Sequence, residues 1–296
     1  MPKISRRRVL ASAASLAAIG ALWRPAEAFE PKGTGTKGIR LGAQTNAWPI
    51  DPSNFNTLVD TLSQIRQVGY AGFETGFLNL RTQFKTPEKA RDRIAATSLT
   101  FFGVHIFLQE YDYLTAIAPR DLYEPVARVG AAIGAERLIL SGAPAVTPEE
   151  VQRKASALNA AGEFSRNLGL TLAYHNHWPE FKWNGKEIEA LYAQTDPSLV
   201  AFVLDAGHAY RTGVDIPAFV TEHHQRLTGI HLRDYREGNQ VPLGQGTFPL
   251  SALARVLQDV SWSGWVLNEE EREDGSKLGL AAIEPAYQAA RGAFPL

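Results

Sequence analysis

The 296-residue chain has no cysteine, and its single methionine is Met1. The first absence excludes disulfides, thiolate metal sites, iron–sulfur clusters and a cysteine nucleophile. Neither sign of charge is in excess: 30 Lys and Arg face 31 Asp and Glu, for a net charge of −1. A nucleic-acid-binding domain carries a basic footprint, so this balance argues against one. No internal repeat, low-complexity tract or linker interrupts the chain beyond its first residues. What is present, 45% hydrophobic and 21% charged residues, is the composition of a globular protein rather than a disordered one. The length suits two small domains or one large α/β domain.

Residues 1–28 differ from everything after them. Arg6, Arg7 and Arg8 form a positive start, an apolar stretch rich in Ala and Leu runs from Val9 to Trp23, and Ala26-Glu27-Ala28 reads as a cleavage site before Phe29. Ser5-Arg6-Arg7-Arg8-Val9-Leu10 resembles a twin-arginine export signal. An uncleaved membrane anchor is the alternative, disfavoured because the apolar run falls short of the ~20 residues a span needs. The expected mature protein is residues 29–296, periplasmic and without stable membrane association. Lys3, Arg6, Arg7, Arg8 and Arg24 go with the leader, as does Glu27, which leaves 25 basic and 30 acidic residues and a net charge of −5. Export by that route carries folded proteins, so the resemblance implies a cofactor inserted inside the cell.

The rest of the chain alternates. Short β-rich runs occupy residues 39–45, 70–75, 99–107, 137–140, 170–175, 200–205, 227–232 and 264–268. Helix-period segments lie between most of them. Residues 54–68 repeat Phe55, Leu58, Val59, Leu62 and Ile65 and stop at Gly69. Thr86-Pro87-Glu88 and Thr147-Pro148-Glu149-Glu150 are helix starts, with a capping residue before Pro at the first position. Further helices are expected over 186–194, 216–225, 250–260 and 280–291. Eight strands alternating with helices over roughly 250 residues predict a single-domain (β/α)8 barrel, a TIM barrel. An open doubly wound sheet is the runner-up. It would carry a Gly-rich loop after the first strand, where this chain reads Gln44-Thr45-Asn46-Ala47-Trp48.

In such a barrel the carboxyl ends of the strands build the active site. Five of the seven histidines, His105, His175, His177, His208 and His231, fall at or just past expected strand ends. His223 and His224 close a helix and read as surface residues. Strand six ends in Asp205, strand seven contains His231, and strand eight runs into Asn268-Glu269. Asp, His and Glu on three adjacent strand ends offer oxygen and imidazole ligands to one divalent cation. Strand five ends Tyr174-His175-Asn176-His177, and the two-residue period puts both histidines on one face.

These residues carry a resemblance. Tyr174-His175-Asn176-His177 with Glu180-Phe181, Leu204-Asp205-Ala206-Gly207-His208, His231-Leu232-Arg233-Asp234, Leu243-Gly244-Gln245-Gly246 and Gly264-Trp265 with Glu269 resemble the sugar isomerase/epimerase superfamily of xylose-isomerase-like barrels. That superfamily includes inosose dehydratases, ketose 3-epimerases and endonuclease IV. The resemblance implies Mn, Mg, Co or Zn held by a Glu after strand five, an Asp, a His and a Glu. Asp205, His231 and Glu269 match the last three. His175 stands where many relatives carry the first Glu, so the fourth ligand is His175, a Glu180 reaching back from its loop, or water, with His175 favoured by its strand position.

The resemblance also implies proton abstraction next to a carbonyl, with Glu269, His208 and His177 as proton-handling candidates. Arg233, where relatives often carry Lys, would hold substrate oxygens. Glu180, Glu74 and His105 would line the mouth. Gln44, Asn46 and Trp48 would hold sugar hydroxyls and stack on a ring face. Epimerases of this kind use two carboxylates on opposite faces, and histidine in place of one breaks that symmetry. The expected activity is isomerisation or epimerisation of a sugar or keto-sugar, with dehydratase or lyase chemistry as the alternative. Export points to a free sugar, cyclitol or oxidised glycoside rather than a sugar phosphate. Two other readings compete. A DNA repair endonuclease would need a three-metal cluster, and Ser141 at the end of strand four offers no histidine for it. A non-catalytic sugar-binding protein would accommodate the missing strand-five Glu. A homo-oligomer is compatible with all of these.

Overall fold

The expected alternation closes into a barrel in the computed structural model, which describes residues 38–294. The leader segment 1–28 lies outside the described residues. Eight parallel strands form the wall: β1 (Ile39–Gln44), β2 (Gly72–Gly76), β3 (Thr100–Ile106), β4 (Arg137–Ser141), β5 (Thr171–His175), β6 (Val200–Asp205), β7 (Leu227–Leu232) and β10 (Gly264–Asn268). They are hydrogen-bonded in the cyclic order β1-β10-β7-β6-β5-β4-β3-β2, and β1 closes the ring by pairing Ile39 with Gly264 through Ala43 with Asn268. A two-stranded hairpin, β8 (Asp234–Arg236) and β9 (Asn239–Val241), projects after β7.

The helices α1 (Phe55–Val68), α2 (Pro87–Ala95), α3 (Arg120–Ile133), α4 (Pro148–Asn167), α5 (Lys182–Gln194), α6 (Ala206–Tyr210), α7 (Ile216–His223), α8 (Leu250–Asp259) and α9 (Leu280–Ala293) connect the strands. Their ends follow the local chemistry. The Asn54 side chain accepts from the Asn56 amide at the start of α1, and Gly69 ends it. Thr147 and Glu150 form a reciprocal capping box on α4. Inside the barrel Phe102, Ile139, Ala173, Val203, Trp265 and Leu267 fill the lumen, all completely buried. A larger apolar layer, including Leu58, Leu62, Val126, Leu158 and Leu253, seals strands to helices.

Helix α3 was not among the expected elements. Pro125 and Gly130, residue types that disfavour a helix interior, both sit inside it. Gly130 is there because helix and strand touch: a Cβ would lie 2.7 Å from Cγ1 of Val104. The short α6 and the β8–β9 hairpin were also unanticipated. Helix α5 begins at Lys182, four residues before the expected start, and α7 gives way after His223 to a 3-10 turn, His224–Arg226.

Candidate metal centre

Four strand ends supply one cluster. His175 ends β5, Asp205 ends β6, His231 sits next to last in β7, and Glu269 follows β10. Asp205 and His231 are register partners across β6 and β7. One ligand atom from each of the four residues lies within 4.8 Å of all the others, and all four residues are buried. His175 Nε2 is 3.0 Å from His231 Nδ1, 3.4 Å from a Glu269 oxygen and 3.6 Å from an Asp205 oxygen. His231 Nδ1 is 2.5 Å from Glu269 Oε2. Ligands about 2.0–2.2 Å from a shared ion lie about 3.0–3.6 Å from one another, which the three His175 distances match, whereas the 2.5 Å His231–Glu269 contact is a hydrogen bond. Two imidazole nitrogens and two carboxylates, with no sulfur, could hold a divalent metal ion.

The surroundings hold these donors in place. Arg233 donates from Nε to Asp205 Oδ2 at 2.6 Å, and its Nη2 lies 2.8 Å from Glu269 Oε1. Asn46 Nδ2 donates to the same Glu269 oxygen at 3.1 Å. Asp205 Oδ1 accepts from the His208 amide at 2.7 Å and so caps α6. Asn176 bonds to both the amide and the carbonyl of Asp205, which stitches the β5 loop to the end of β6. Burial alone would raise the Glu269 carboxyl, but Arg233 and His231 outweigh it and hold the group well below the usual carboxylate range. Burial would likewise lower His231, but the Glu74 and Glu269 charges overcome it and hold the ring near about 10.

Two more imidazoles border the cluster. The His177 ring lies 5.1 Å from His175 and 5.2 Å from His208. Both His177 Nδ1 and His208 Nδ1 are buried without a hydrogen-bond partner. Burial lowers His208 to about 4, and burial with the neighbouring His175 and His208 pushes His177 well below its ordinary value. Both are neutral bases at pH 7. Four of the five histidines expected at strand ends, His175, His177, His208 and His231, are thus gathered, together with Asp205, Glu269, Arg233 and Asn46.

Five other expected residues stand elsewhere. Glu180 does not reach the centre as a ligand or line the mouth. Its Oε1 accepts from Lys154 Nζ at 2.9 Å and from the Tyr174 hydroxyl, and its Oε2 accepts from the His177 amide at 2.5 Å. Trp48 turns its indole N–H to Gln64 of α1 at 2.9 Å and is buried, so it offers no ring face to a sugar. Glu74 and His105 are 0% and 1% exposed and lie behind the ligand histidines instead of in the mouth. Glu74 Oε2 is 2.8 Å from His231 Nε2, and its Oε1 is 2.8 Å from His105 Nδ1. Burial would raise that carboxyl, but His231 and His105 hold it at about 2. Gln44 spends its side-chain oxygen on the Asn46 amide at 2.5 Å.

Sequence reasoning passed over Ser141, Asn176 and Lys154. Ser141 stands between His105 Nε2 at 2.8 Å and His175 Nδ1 at 3.3 Å. Only its position at the end of strand four marked it. Asp234 was likewise unassigned. Its carboxylate accepts from the amides of Tyr235, Gly244, Gly246 and Phe248, which folds the Leu243-Gly244-Gln245-Gly246 stretch around it. A Cβ at Gly246 would lie 2.1 Å from the Asp234 carboxylate. His223, as expected, is peripheral, 3.1 Å from Glu189 on the surface.

Known proteins resemble this chain over most of its length. An inosose dehydratase from Bacillus licheniformis is 27% identical over 270 residues, which cover 78% of this chain and 87% of that protein. A sugar phosphate isomerase/epimerase from Parabacteroides distasonis superposes with a TM-score of 0.67 at 19% identity, covering 88% of this chain and 97% of the other. A 3-keto-D-glucoside 4-epimerase from E. coli gives 0.64 at 14% identity, covering 86% and 99%. A family model described as xylose isomerase-like TIM barrel matches residues 62–292. The chain belongs to the xylose isomerase-like TIM barrel family.

Proposed function

We propose that this protein is a divalent-metal-dependent enzyme that moves a proton next to the carbonyl of a sugar or keto-sugar, as an isomerase or epimerase. The observation that carries the reading is the convergence of His175, Asp205, His231 and Glu269 on one buried point, beside two imidazoles with unpartnered nitrogens. An ion bound there would supply Lewis-acid polarisation of a carbonyl and a neighbouring hydroxyl. His177 and His208 are placed to accept or return a proton at Nδ1, since each is neutral and leaves that atom free. Arg233 fixes the Asp205 and Glu269 carboxylates and carries the positive charge closest to a developing oxyanion. Asn46 orients Glu269 from the β1 side.

Elimination is the second reading, favoured by the asymmetry of the site. The site carries the Glu269 carboxylate together with the neutral imidazoles of His177 and His208 in place of a second carboxylate. An imidazole that takes the α-proton becomes an imidazolium and can return that proton to a leaving hydroxyl, so loss of water balances on this set. The inosose dehydratase relative supports the same reading. The leader reads as an export signal, which favours a free sugar, cyclitol or oxidised glycoside as substrate.

The test is incubation of the metal-loaded protein with keto-sugars, 3-keto-glycosides and inososes in deuterated water. Deuterium entering the α-position with inverted or transposed product marks isomerisation or epimerisation. Loss of water or of an aglycone marks elimination. An absence of α-exchange across the panel overturns both.

A further inference from the structure

Behind the proposed ligands the side chains form a closed ring. From His231 Nε2 it passes to Glu74 at 2.8 Å, from Glu74 to His105 Nδ1 at 2.8 Å, from His105 Nε2 to Ser141 Oγ at 2.8 Å, and from Ser141 Oγ to His175 Nδ1 at 3.3 Å. It closes between His175 Nε2 and His231 Nδ1 at 3.0 Å. Every member is at most 1% exposed, so water does not complete these bonds from outside. We propose that Glu74 is a positioning residue that sets the tautomer of both ligand histidines, His231 directly and His175 through His105 and Ser141, so that His231 turns Nδ1 and His175 turns Nε2 to the metal position. The inference rests on the metal reading above.

The polarity follows from one fact. An ionised carboxylate only accepts hydrogen bonds. The two nitrogens facing Glu74, His231 Nε2 and His105 Nδ1, are therefore N–H donors. His231 keeps its lone pair at Nδ1, which faces His175 and Glu269. His105 keeps its lone pair at Nε2 and accepts from the Ser141 hydroxyl. The hydroxyl, having given its hydrogen to His105, accepts from His175 Nδ1–H. His175 is then left with its lone pair at Nε2, toward the centre. The other neutral tautomer of His105 would set a lone pair against the Glu74 carboxylate at 2.8 Å, whereas His231 meets a carboxylate at both nitrogens, Glu74 at 2.8 Å and Glu269 at 2.5 Å, and leaves Nδ1 unprotonated only with a cation at the centre. With this polarity two nitrogen lone pairs and two carboxylates face a single point, an arrangement that a cation at that point stabilises. A carboxylate behind a ligand histidine is a general device for orienting it. Here one carboxylate reaches a second ligand through an imidazole and a hydroxyl.

Long-range 1H–15N correlation of the histidine rings in zinc-loaded protein reads the tautomers directly. Expected is Nε2–H on His231, and Nδ1–H on both His105 and His175. Nδ1–H on His231, Nε2–H on His175, or a doubly protonated His105 with Ser141 reversed would overturn the inference. Affinity is the second readout, measured for zinc by chelator competition. Glu74→Gln presents one amide N–H to a ring nitrogen and should weaken binding about 10- to 100-fold. Ser141→Ala should lose less, Ser141→Thr should restore it, and the cobalt-substituted spectrum should shift in Ser141→Ala alone of that pair. The serine variants and the ring correlations keep the test open if Glu74→Gln does not fold. Unchanged affinity and cobalt spectrum in folded Glu74→Gln and Ser141→Ala would overturn the inference while the metal reading stands. A wild-type protein that takes up no zinc would overturn both.

Discussion

Two polar clusters lie back to back across β5, and they are buried for opposite reasons. Tyr174 and His175 are successive residues of that strand, so their side chains leave it on opposite faces. On the outer face Lys154, from α4, places Nζ 2.9 Å from Glu180, 2.7 Å from Glu187 and 2.9 Å from the Ala143 carbonyl. Those three bonds use all three ammonium donors. The Tyr174 hydroxyl completes the cluster on Glu180, which in turn holds the His177 amide. On the inner face Arg233 and His231 hold Asp205 and Glu269, and His175 joins them so that one donor atom from each of His175, Asp205, His231 and Glu269 meets the others. The outer cluster contains its own counter-ion. The inner one could take a cation from outside. Burial of charge, common to both, does not distinguish a site from a brace; the convergence of four donor residues on one point does.

Removing an inner carboxylate should therefore cost chemistry, and removing the outer cation should cost the fold. Glu269→Gln should lower turnover by about a thousandfold or more, since Lewis-acid stabilisation is worth several kcal/mol and each tenfold is about 1.4 kcal/mol. Steady-state kinetics on whichever sugar the deuterium panel identifies would measure it, and near-normal turnover would remove Glu269 from the mechanism. Lys154→Met should destabilise the protein by about 3–5 kcal/mol, because it leaves Glu180 and Glu187 buried without a cation. Urea denaturation reads that loss. A stability within about 1 kcal/mol of wild type, closer to the cost of an ordinary surface change, would erase the contrast between the two clusters.

A smaller effect probes the inner cluster without mutation. Divalent ion at about 100 times its Kd should stabilise the fold by about 2.7 kcal/mol, and a chelator should reverse the gain. For a domain of this size that corresponds to a rise in Tm of about 5–10 °C. The Lys154→Met protein should gain as much from the ion as wild type does, if the two clusters are energetically separate. A missing gain in the variant would show that the Glu180 bond to the His177 amide couples them.

The barrel and the four-residue cluster were legible because both come from periodicity. Apolar runs alternating with capped helices give the strands, and a polar residue ending an apolar strand has few reasons to be there. His175, Asp205, His231 and Glu269 all carried that mark. Position along the chain does not disclose which partner a side chain finds. Glu180, three residues past His177, looked free to turn inward, but Lys154 comes from a helix 26 residues earlier and captures it on the far side of β5. Trp48 follows β1 at the mouth, but its indole N–H finds Gln64 on α1. Ser141 was discounted for what it lacked as a ligand, and its place between two imidazoles depends on three strands meeting. Helix α3 was obscured by Pro125 and Gly130, the second of which is required by contact with Val104.

The finest distinction concerns adjacent residues. Tyr174→Phe removes one hydroxyl from the outer cluster while Lys154 still holds Glu180. The loss should be about 1 kcal/mol of stability, the usual worth of one such bond. Zinc affinity and turnover should stay within about twofold of wild type, because the ring faces away from the centre. His175→Gln, one residue on, should do the reverse. It should leave the stability of the metal-free protein nearly unchanged and weaken zinc binding, because its Nε2 is one of the four atoms around the central point. If Tyr174→Phe weakens metal binding as much as His175→Gln does, the strand does not insulate one face from the other. The outer cluster then belongs to the catalytic apparatus rather than to its support.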